Sequence, residues 1–488
     1  MCLPIRLNAL FNYWKSSNNF FANNLTLLIM RTILIRYKET TSLLLLFLAF
    51  YTGHSQNPLT GYIDSAFKNN IVLQQKNISL EKAEYALQIA KGFYYPTVAF
   101  QAGYQTAGGG RDIDLPIGDL LNNVYSTLNQ LTQTNDFSQI KNQHINFLPQ
   151  NFYDTKVRTT VPIINSDIKY NKQISEQQIT LSKYEIEIYK RDLVKDIKTA
   201  YFNYLNALES ISIYKSSLQL ANEGKRVNEK LVENGKGLPA YVLRSNSEIE
   251  NVKAQITNAE QQANNAKLYF NFLLNRDQNE NIDSSYNANT QVVAIPGLIA
   301  GSNTTIGREE IKALQQSVVL NKTALQMNKA VYYPKLNGFL DLGSQAQNWK
   351  FNSQSRYYMV GLQLDVPIFA GFRNRNKIKQ SDLDVKNAQL GVDQLKQKLD
   401  LSGNVARNNL VSVYQSYLSS QKQLEAAQAY QRLIERGYRE GTNTFIETVD
   451  ARNQLTQSQL LVSVNQYKVL IAAANLERET ASFNLPNQ

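Results

Sequence analysis

Residues 193–221, LVKDIKTAYFNYLNALESISIYKSSLQLA, decide the fold of this chain. Apolar or small residues recur there in alternating steps of four and three, at Leu193, Ile197, Ala200, Tyr204, Ala207, Ile211, Tyr214, Leu218 and Ala221. This spacing is a heptad seam, typical of a helix that packs along a neighbour in a coiled coil. Because no proline lies between Pro162 and Pro239, the pattern predicts one helix over residues 167–234, on the order of 100 Å long.

A second seam with the same alternation follows, at Ile249, Val252, Ile256, Ala259, Ala263, Ala266, Phe270 and Leu273. The segment between the two seams contains Gly235 and Gly237, which allow the positive φ of a helix end, and Pro239, which suits a first helical turn. Residues 167–274 are therefore predicted to form one long antiparallel helical hairpin. Heptads report packing rather than chemistry, so a solvated structural coiled coil and a wall of side-by-side helices both remain open.

The composition argues against several classes of function. The net charge of +11 is spread along 488 residues without Lys/Arg blocks, which gives little support to nucleic-acid binding. Cys2 is the only cysteine, and His54 and His144 are the only histidines. So few thiols and imidazoles nearly exclude a Cys/His metal site or a histidine-based nucleophile triad. We therefore predict a protein that is not an enzyme and that needs no cofactor.

The N-terminus has the pattern of a secretory signal peptide over residues 1–55. Arg31, Arg36 and Lys38 precede a short apolar run at residues 42–51, and small residues follow it. Cleavage is predicted after Ser55. Met30 immediately precedes the basic segment and is an alternative start, which would make residues 1–29 a misannotation. The other interpretation is a transmembrane anchor, which the short apolar run disfavours.

The order of predicted elements occurs twice along the chain. In the first half, a helix (residues 61–93) precedes a strand (97–104), a polar loop (105–151) and a strand (153–163). The second half has a helix (308–331), strands at 335–342 and 356–368, a second long helix, a break at residues 437–441, and a return helix from Phe445 to about Thr480. Pro96 matches Pro334, and Pro162 matches Pro367. These matches predict an internal duplication, with repeats at residues 56–274 and 308–480, a linker at 275–307 and a tail at 481–488.

The four predicted strands have the length needed to cross a bilayer at a tilt. Aromatic residues that suit the headgroup region stand at their ends: Tyr94, Tyr95, Tyr332, Tyr333, Trp349, Tyr357 and Tyr358. An edge hairpin of a soluble sheet is the alternative. Because four strands cannot close a barrel and lipid tolerates no open edge, a membrane barrel would have to be shared between protomers. Three copies would supply twelve strands.

From about Gly61 to Leu485, the sequence resembles the TolC-like outer-membrane efflux proteins of Gram-negative bacteria. The resemblance rests on the Tyr-Tyr-Pro junctions at Pro96 and Pro334, the Val-Pro-Ile motifs at Pro162 and Pro367, the duplication, and residues 438–451, YREGTNTFIETVDA. It implies a membrane α+β fold, in which a shared 12-stranded β-barrel with four strands per protomer continues into a periplasmic α-helical coiled-coil tunnel. It further implies a homotrimer in outer-membrane lipid that docks onto a periplasmic adaptor and an inner-membrane pump.

The resemblance also implies where the periplasmic entrance lies. Glu447 and Asp450 occupy the positions of the family's entrance carboxylates, and Tyr438 is a candidate hydrogen-bonding partner. The two helical turns, at Gly237 and Leu238 and at Gly441 and Thr442, are the implied adaptor-docking tips. Leu243 and Asn443 stand where charged partners can occur in the family, which argues against an ionic lock.

Two alternatives stay open on the sequence alone. Residues 444–447 form a capping box in which Glu447 reaches back to the Thr444 backbone, so capping and gating both account for Glu447. Asp450 has no such local duty, and the alternative for it is an ordinary solvated helix carboxylate. For the whole chain, the prediction is a passive exit duct for efflux or type I secretion, and the alternative is a secreted coiled-coil adhesin or structural protein.

Overall fold

The computed structural model describes residues 58–148, 150–301 and 307–485. Contacts divide the chain into Met1–Asp64 and Ser65–Gln488. The described part of the first unit is the beginning of helix α1 (Pro58–Asn69). The predicted signal peptide and the end of the predicted tail, residues 486–488, lie outside the described residues.

Two long helical hairpins dominate the second unit. The first joins α4 (Ser166–Glu233) to α5 (Pro239–Leu274), and the second joins α9 (Arg373–Arg439) to α10 (Phe445–Thr480). With 68 residues, α4 is about 100 Å long. The predicted seam residues are buried, as at Leu193, Ile197 and Ala259, or half-buried, as at Ile211 and Ile256. Each hairpin packs along its own length, and α10 of the second packs against α4 of the first. The sequence prediction of two long hairpins is confirmed.

Shorter helices pack against these hairpins. Helix α2 (Ile71–Gly92) packs on α4, and α8 (Glu309–Lys329) packs on α4 and α9. The prediction of one continuous helix over residues 61–93 is wrong, because α1 and α2 are separated at Asn70. The Asn70 side chain accepts a hydrogen bond from the Leu73 amide (3.0 Å) and donates to the Leu273 carbonyl (2.9 Å). It thus caps α2 and ties it to α5. The linker between the halves contains the short helices α6 (Ala288–Val292) and α7 (Ile295–Ala300).

Four strands form one antiparallel sheet in the order β1–β4–β5–β6. They are β1 (Thr97–Gln105), β4 (Phe152–Ile164), β5 (Lys335–Gln347) and β6 (Arg356–Asp365). The four predicted strands are confirmed, but β5 extends beyond the predicted residue 342 and β6 stops before 368. Pro162 lies inside β4 next to a register shift, whereas Pro367 follows the end of β6. A proline cannot donate to a ladder, so it is accommodated at an irregularity or beyond the strand.

The strand register gives this sheet two chemically different faces. Phe100, Val157, Leu342 and Tyr358 are consecutive cross-strand partners and therefore share one face, where all four are exposed. The opposite face carries charge. Arg158 donates to both carboxylate oxygens of Asp341 (2.7 and 2.6 Å), and the Tyr357 hydroxyl donates to Asp154 (2.8 Å). One face is thus an apolar exposed surface, and the other is a paired polar one.

The segment between β1 and β4, predicted as a polar loop, contains regular structure. A two-stranded ribbon of β2 (Asp112–Leu115) and β3 (Gln143–Asn146) flanks helix α3 (Ile117–Thr132). The Asn122 side chain bonds both the amide and the carbonyl of Ile140 (2.8 and 2.9 Å), which holds the returning chain against α3. Side-chain to backbone bonds of this kind have no hydrophobic period, so the pattern did not reveal the unit.

A buried cluster of ion pairs joins the start of α8 and the end of α10 to the interior of α4. Arg191 Nε lies 2.7 Å from Glu309, and both Arg308 (2.9 Å) and Arg478 (2.7 Å) contact Glu310. Burial alone would raise the pKa of Glu310, but the hydrogen bond from Arg308 and the charge of Arg478 outweigh it and lower this pKa to about 2. The pairs of Glu310 with Arg308 and Arg478 therefore stabilise the fold only while Glu310 is ionised.

Candidate functional site: the tips of the helical hairpins

The two hairpin tips bring together most of the residues predicted to form the entrance. At the first tip, Gly237 is followed by Leu238, which is the N-cap residue of α5. The Leu238 side chain is exposed. At the second, Gly441 has a φ of +79°, which favours glycine, and Thr442 donates its hydroxyl to the Gly437 carbonyl (3.0 Å). Helix α9 ends at Arg439, so the break predicted at residues 437–441 begins later. The main chain folds back there because the Thr442 amide also bonds the Gly437 carbonyl (2.8 Å).

Glu447 caps helix α10. Its carboxylate accepts hydrogen bonds from the Thr444 amide (2.6 Å) and from Asn443 Nδ2 (3.3 Å), and its own amide donates to Thr444 Oγ1 (3.3 Å). These are the two reciprocal bonds of a capping box. The hydrogen bond from the Thr444 backbone is the main cause of a lowered Glu447 pKa. The capping interpretation is confirmed, and the gating role of Glu447 stays a prediction.

Asp450 and Leu243 are both exposed. Asp450 lies one turn beyond the cap of α10, and among the described residues its carboxylate has neither a hydrogen bond nor an ion pair. Leu243, on α5, is 71% exposed. Within this chain, therefore, the two positions form no lock with each other. Their role as surfaces facing another copy stays a prediction.

Tyr438 faces inward and joins the two hairpins. Its hydroxyl donates to Asn228 Oδ1 on α4 (3.0 Å), and Asn228 is almost completely buried. The Tyr438 ring packs against Phe445 (6.1 Å between centroids), which in turn packs against Tyr241 of α5 (5.2 Å). Burial raises the pKa of Tyr438. This small aromatic cluster therefore ties α9 and α10 to the first hairpin.

Arg452 makes the second connection, at a residue that was not among the predicted site residues. From α10 its Nη1 donates to the Leu220 carbonyl on α4 (2.7 Å), while its Nε donates to the Thr448 carbonyl (3.1 Å). The guanidinium lies 5.7 Å from the centroid of the Phe445 ring, and burial lowers its pKa. On the facing helix stands Gly224, where a Cβ would lie 2.5 Å from Nη1. The absence of a side chain at residue 224 is what admits the arginine.

Further polar contacts continue from this point along α4 and α10. The Thr456 hydroxyl donates to Ser217 Oγ (3.1 Å), and the Ser463 hydroxyl donates to Asn206 Oδ1 (3.2 Å). A cavity of about 340 Å³ opens beside Arg452, lined by residues of both hairpins that include Val227, Leu231, Glu435, Tyr438 and Phe445. Close packing is interrupted there, so near the tips the hairpins are joined by the aromatic cluster and by the hydrogen bonds of Tyr438 and Arg452.

One sequence signal could have identified Arg452. The buried residues Val449, Thr456, Ser463 and Leu470 recur every seven residues along α10, and Arg452 occupies the intermediate heptad position three residues after Val449. A charged residue at a seam position marks a place where packing is replaced by a specific polar contact. The partner could not be inferred, because it is a main-chain carbonyl.

The model of the outer membrane efflux protein family matches residues 62–276 and 302–481. These ranges include both long hairpins and all four strands of the sheet. The chain belongs to the outer membrane efflux protein family. It is thus a member of a family of transport channels, not of an enzyme family, and the TolC-like resemblance is confirmed.

Solved membrane proteins, among them outer membrane channels, share the fold of this family member. A membrane protein from Pseudomonas aeruginosa has a TM-score of 0.68 at 15% identity, over 87% of this chain and 94% of that one. The Campylobacter jejuni CmeC outer membrane channel has a TM-score of 0.66 at 14% identity, and the match covers 87% of this chain and 85% of that one. The Neisseria gonorrhoeae MtrE outer membrane channel, solved in its open state, has a TM-score of 0.66 at 15% identity. The match covers 87% of this chain and 89% of that one. At these identities the likeness concerns the fold.

The family member also matches a curated protein, a structural maintenance of chromosomes protein 3 homolog from Plasmodium falciparum. The two are 23% identical over 227 residues, which is 46% of this chain and 18% of that protein. The match therefore spans less than a fifth of the curated relative, and no argument about function rests on it. Among the described helices, none is both long and apolar enough to cross a membrane.

Proposed function

We propose that this chain is one protomer of a trimeric outer-membrane exit duct, serving a tripartite efflux or type I secretion system. The observation that carries the proposal is the four-stranded sheet. It has an apolar exposed face and a charge-paired opposite face, and no other strand of the described part of the chain pairs with the outer edges of β1 and β6. In lipid every strand edge must be paired. Closing the sheet with further copies satisfies these edges, and three copies give twelve strands.

In this duct the apolar face contacts outer-membrane lipid and the charged face lines the lumen. Exposed aromatic side chains near the strand ends support the arrangement, among them Tyr95 and Tyr358. Trp349 stacks between Tyr104 and Tyr153, with centroids 5.5 Å from each, and so closes the β5–β6 turn over the neighbouring strands. Arg158 and Asp341 neutralise each other, so the barrel lumen adds little net charge to the selectivity of the pore.

The hairpins form the periplasmic part of the duct. We place the repeats at residues 56–274 and 308–480, with the linker at 275–307 between them. Passive conduction fits a family of channels, with the energy supplied by an inner-membrane pump. The exposed turns at Gly237 and Leu238 and at Gly441 and Thr442 would receive a periplasmic adaptor. Glu447 and Asp450, three copies of each, would ring the entrance and favour cations over anions.

We assign closure of the entrance to the contacts that Tyr438 and Arg452 make between the hairpins near their tips. Opening moves the second hairpin away from α4, which breaks the bond from Tyr438 to Asn228 and the bond from Arg452 to the Leu220 carbonyl. Neither acceptor is a titratable group. This closure therefore differs from an ionic lock, since it depends little on pH or on salt.

Conductance in planar lipid bilayers tests the proposed function. The purified protein, extracted from outer membranes with detergent, should insert and give discrete cation-selective channels. A secreted adhesin or filament would instead be recovered without detergent and would leave the bilayer silent. Recovery of that kind would refute the duct.

A further inference from the structure

The β2–β3 ribbon places aspartate, histidine and asparagine side chains, all of which can bind metal ions, on one face. Asp112 and Asp114 are two residues apart in β2, so their side chains lie on the same face of the ribbon. His144 is the direct cross-strand partner of Asp114, and Asn146 is that of Asp112. Among the described residues His144 is the sole histidine. The register thus forms a square of two carboxylates, an imidazole and an amide.

Three of these four side chains have donor atoms that converge, whereas the amide oxygen of Asn146 accepts from the Leu148 amide (2.9 Å). One carboxylate oxygen from each aspartate and an imidazole nitrogen of His144 all lie within 4.8 Å of one another. His144 Nδ1 is in contact with Asp114 Oδ1, and both side chains are about 70% exposed (71% and 69%). Donors that share one Zn²⁺ lie within about 4 Å of each other, since each bond is about 2 Å long. A small rotation of these exposed side chains is enough to reach that separation.

We propose that Asp112, Asp114 and His144 bind one divalent transition-metal ion of the zinc type. An imidazole with two carboxylates suits Zn²⁺, Co²⁺ or Ni²⁺, whereas Ca²⁺ and Mg²⁺ prefer oxygen donors throughout. Arg111, which directly precedes β2, is the nearest positively charged side chain in the sequence. Because side chains alternate along a strand, it lies on the other face, and its guanidinium is 5.7 Å from the centroid of the Phe147 ring. It therefore does not occupy the square. This site is independent of conduction.

The ribbon is held in register from both sides, so the donors are presented together before any ion arrives. The Phe147 amide donates to the Arg111 carbonyl (3.2 Å) beyond the strand ends. Asn142 accepts from the Asp119 amide (3.1 Å) and donates to the Asp119 carboxylate (3.0 Å), which fixes β3 against the first turn of α3. Preorganised ligands lose less conformational entropy on binding than ligands on a free loop.

Titration of the purified, tag-free, chelator-treated full chain with Zn²⁺ in a calorimeter tests the site, with Co²⁺ absorption as a second probe. The wild type should bind one Zn²⁺ per chain, and Co²⁺ should give visible bands of a bound ion. His144→Ala and Asp112→Asn should each weaken Zn²⁺ binding by about tenfold or more. Asp136→Asn removes an exposed carboxylate of the same segment outside the square and should bind like the wild type, and Ca²⁺ should not compete.

Two results would overturn the site. If Zn²⁺ binding is absent from the wild type while His144→Ala lowers the melting temperature, the cluster is a cross-strand ion pair only. If Zn²⁺ binds but all three variants match the wild type, the ion is held elsewhere. Melting curves of each variant without metal show whether the protein remains folded, and the exposure of these side chains leads us to expect that it does.

Discussion

Arg452→Ala is the sharpest test of how the entrance is held closed. The change removes the hydrogen bond to the Leu220 carbonyl and the two contacts with Thr448, which has a buried side chain. A hydrogen bond from a charged group contributes about 1.5–3 kcal/mol. Because the cavity beside Arg452 lets water reach the freed carbonyl, we take the lower end of this range, about 1.5 kcal/mol per protomer.

Three protomers that open together would add these losses. The sum is about 4–5 kcal/mol, which corresponds to a shift of the closed-to-open equilibrium by about a thousandfold. The assay is single-channel recording in planar bilayers, with the open probability and the closed dwell times as readouts. Arg432→Ala is the matched control, since Arg432 is an exposed arginine of α9 outside this contact.

Gly224→Ala tests the same contact from the facing helix. An alanine in an exposed helix interior normally stabilises the helix by about 0.5–1 kcal/mol relative to glycine. Here its Cβ would lie 2.5 Å from Arg452 Nη1, so it should displace the guanidinium and raise the open probability despite its better helix propensity. Unchanged dwell times in both Arg452→Ala and Gly224→Ala would refute the reasoning.

Three further predictions concern other parts of the chain. The double change Glu447→Ala with Asp450→Ala should lower the cation selectivity measured by reversal potential. Only variants with Glu447→Ala should have a slightly lower melting temperature, because the cap is lost. If the reversal potentials match the wild type, the selectivity comes from other residues. Because the pKa of Glu310 is lowered to about 2, its contribution is fully present above about pH 4.5 and is lost as the pH falls toward 2. Glu310→Gln should therefore unfold more easily at pH 7 but lose less stability on acidification than the wild type, and parallel curves of stability against pH would contradict this. An epitope inserted at Gln133, the residue that ends α3, should be labelled on intact cells without loss of export, and labelling only after permeabilisation would reverse the orientation.

The long helices could be predicted from the sequence because their packing follows a period. Leu193, Ile197 and other seam residues are buried along α4, so the heptads indicate the long helices, and the glycines and prolines between them indicate where each helix ends. The sheet was predicted with less accurate ends. Pairing with β4 and β6 extends β5 to Gln347, and nothing local to residues 343–347 indicates that partner.

The contacts at the hairpin tips could be predicted only partly from the sequence. Glu447 was predicted as a cap because Thr444 lies three residues before it. Tyr438 was identified by resemblance, but its partner Asn228 is 210 residues away and has no motif. The contact of Arg452 depends on a main-chain carbonyl and on the missing side chain of Gly224. Interactions of this kind follow from how two helices are placed, not from which residues are near in sequence.

The number of chains in the detergent-solubilised particle tests the central claim most directly. Native mass spectrometry of the protein extracted from outer membranes should give a mass of three mature chains, with no folded monomer at working concentrations, because four strands alone leave two edges unpaired. A monomer that forms channels by itself, or a closed assembly of a different number of chains, would contradict the shared twelve-stranded barrel.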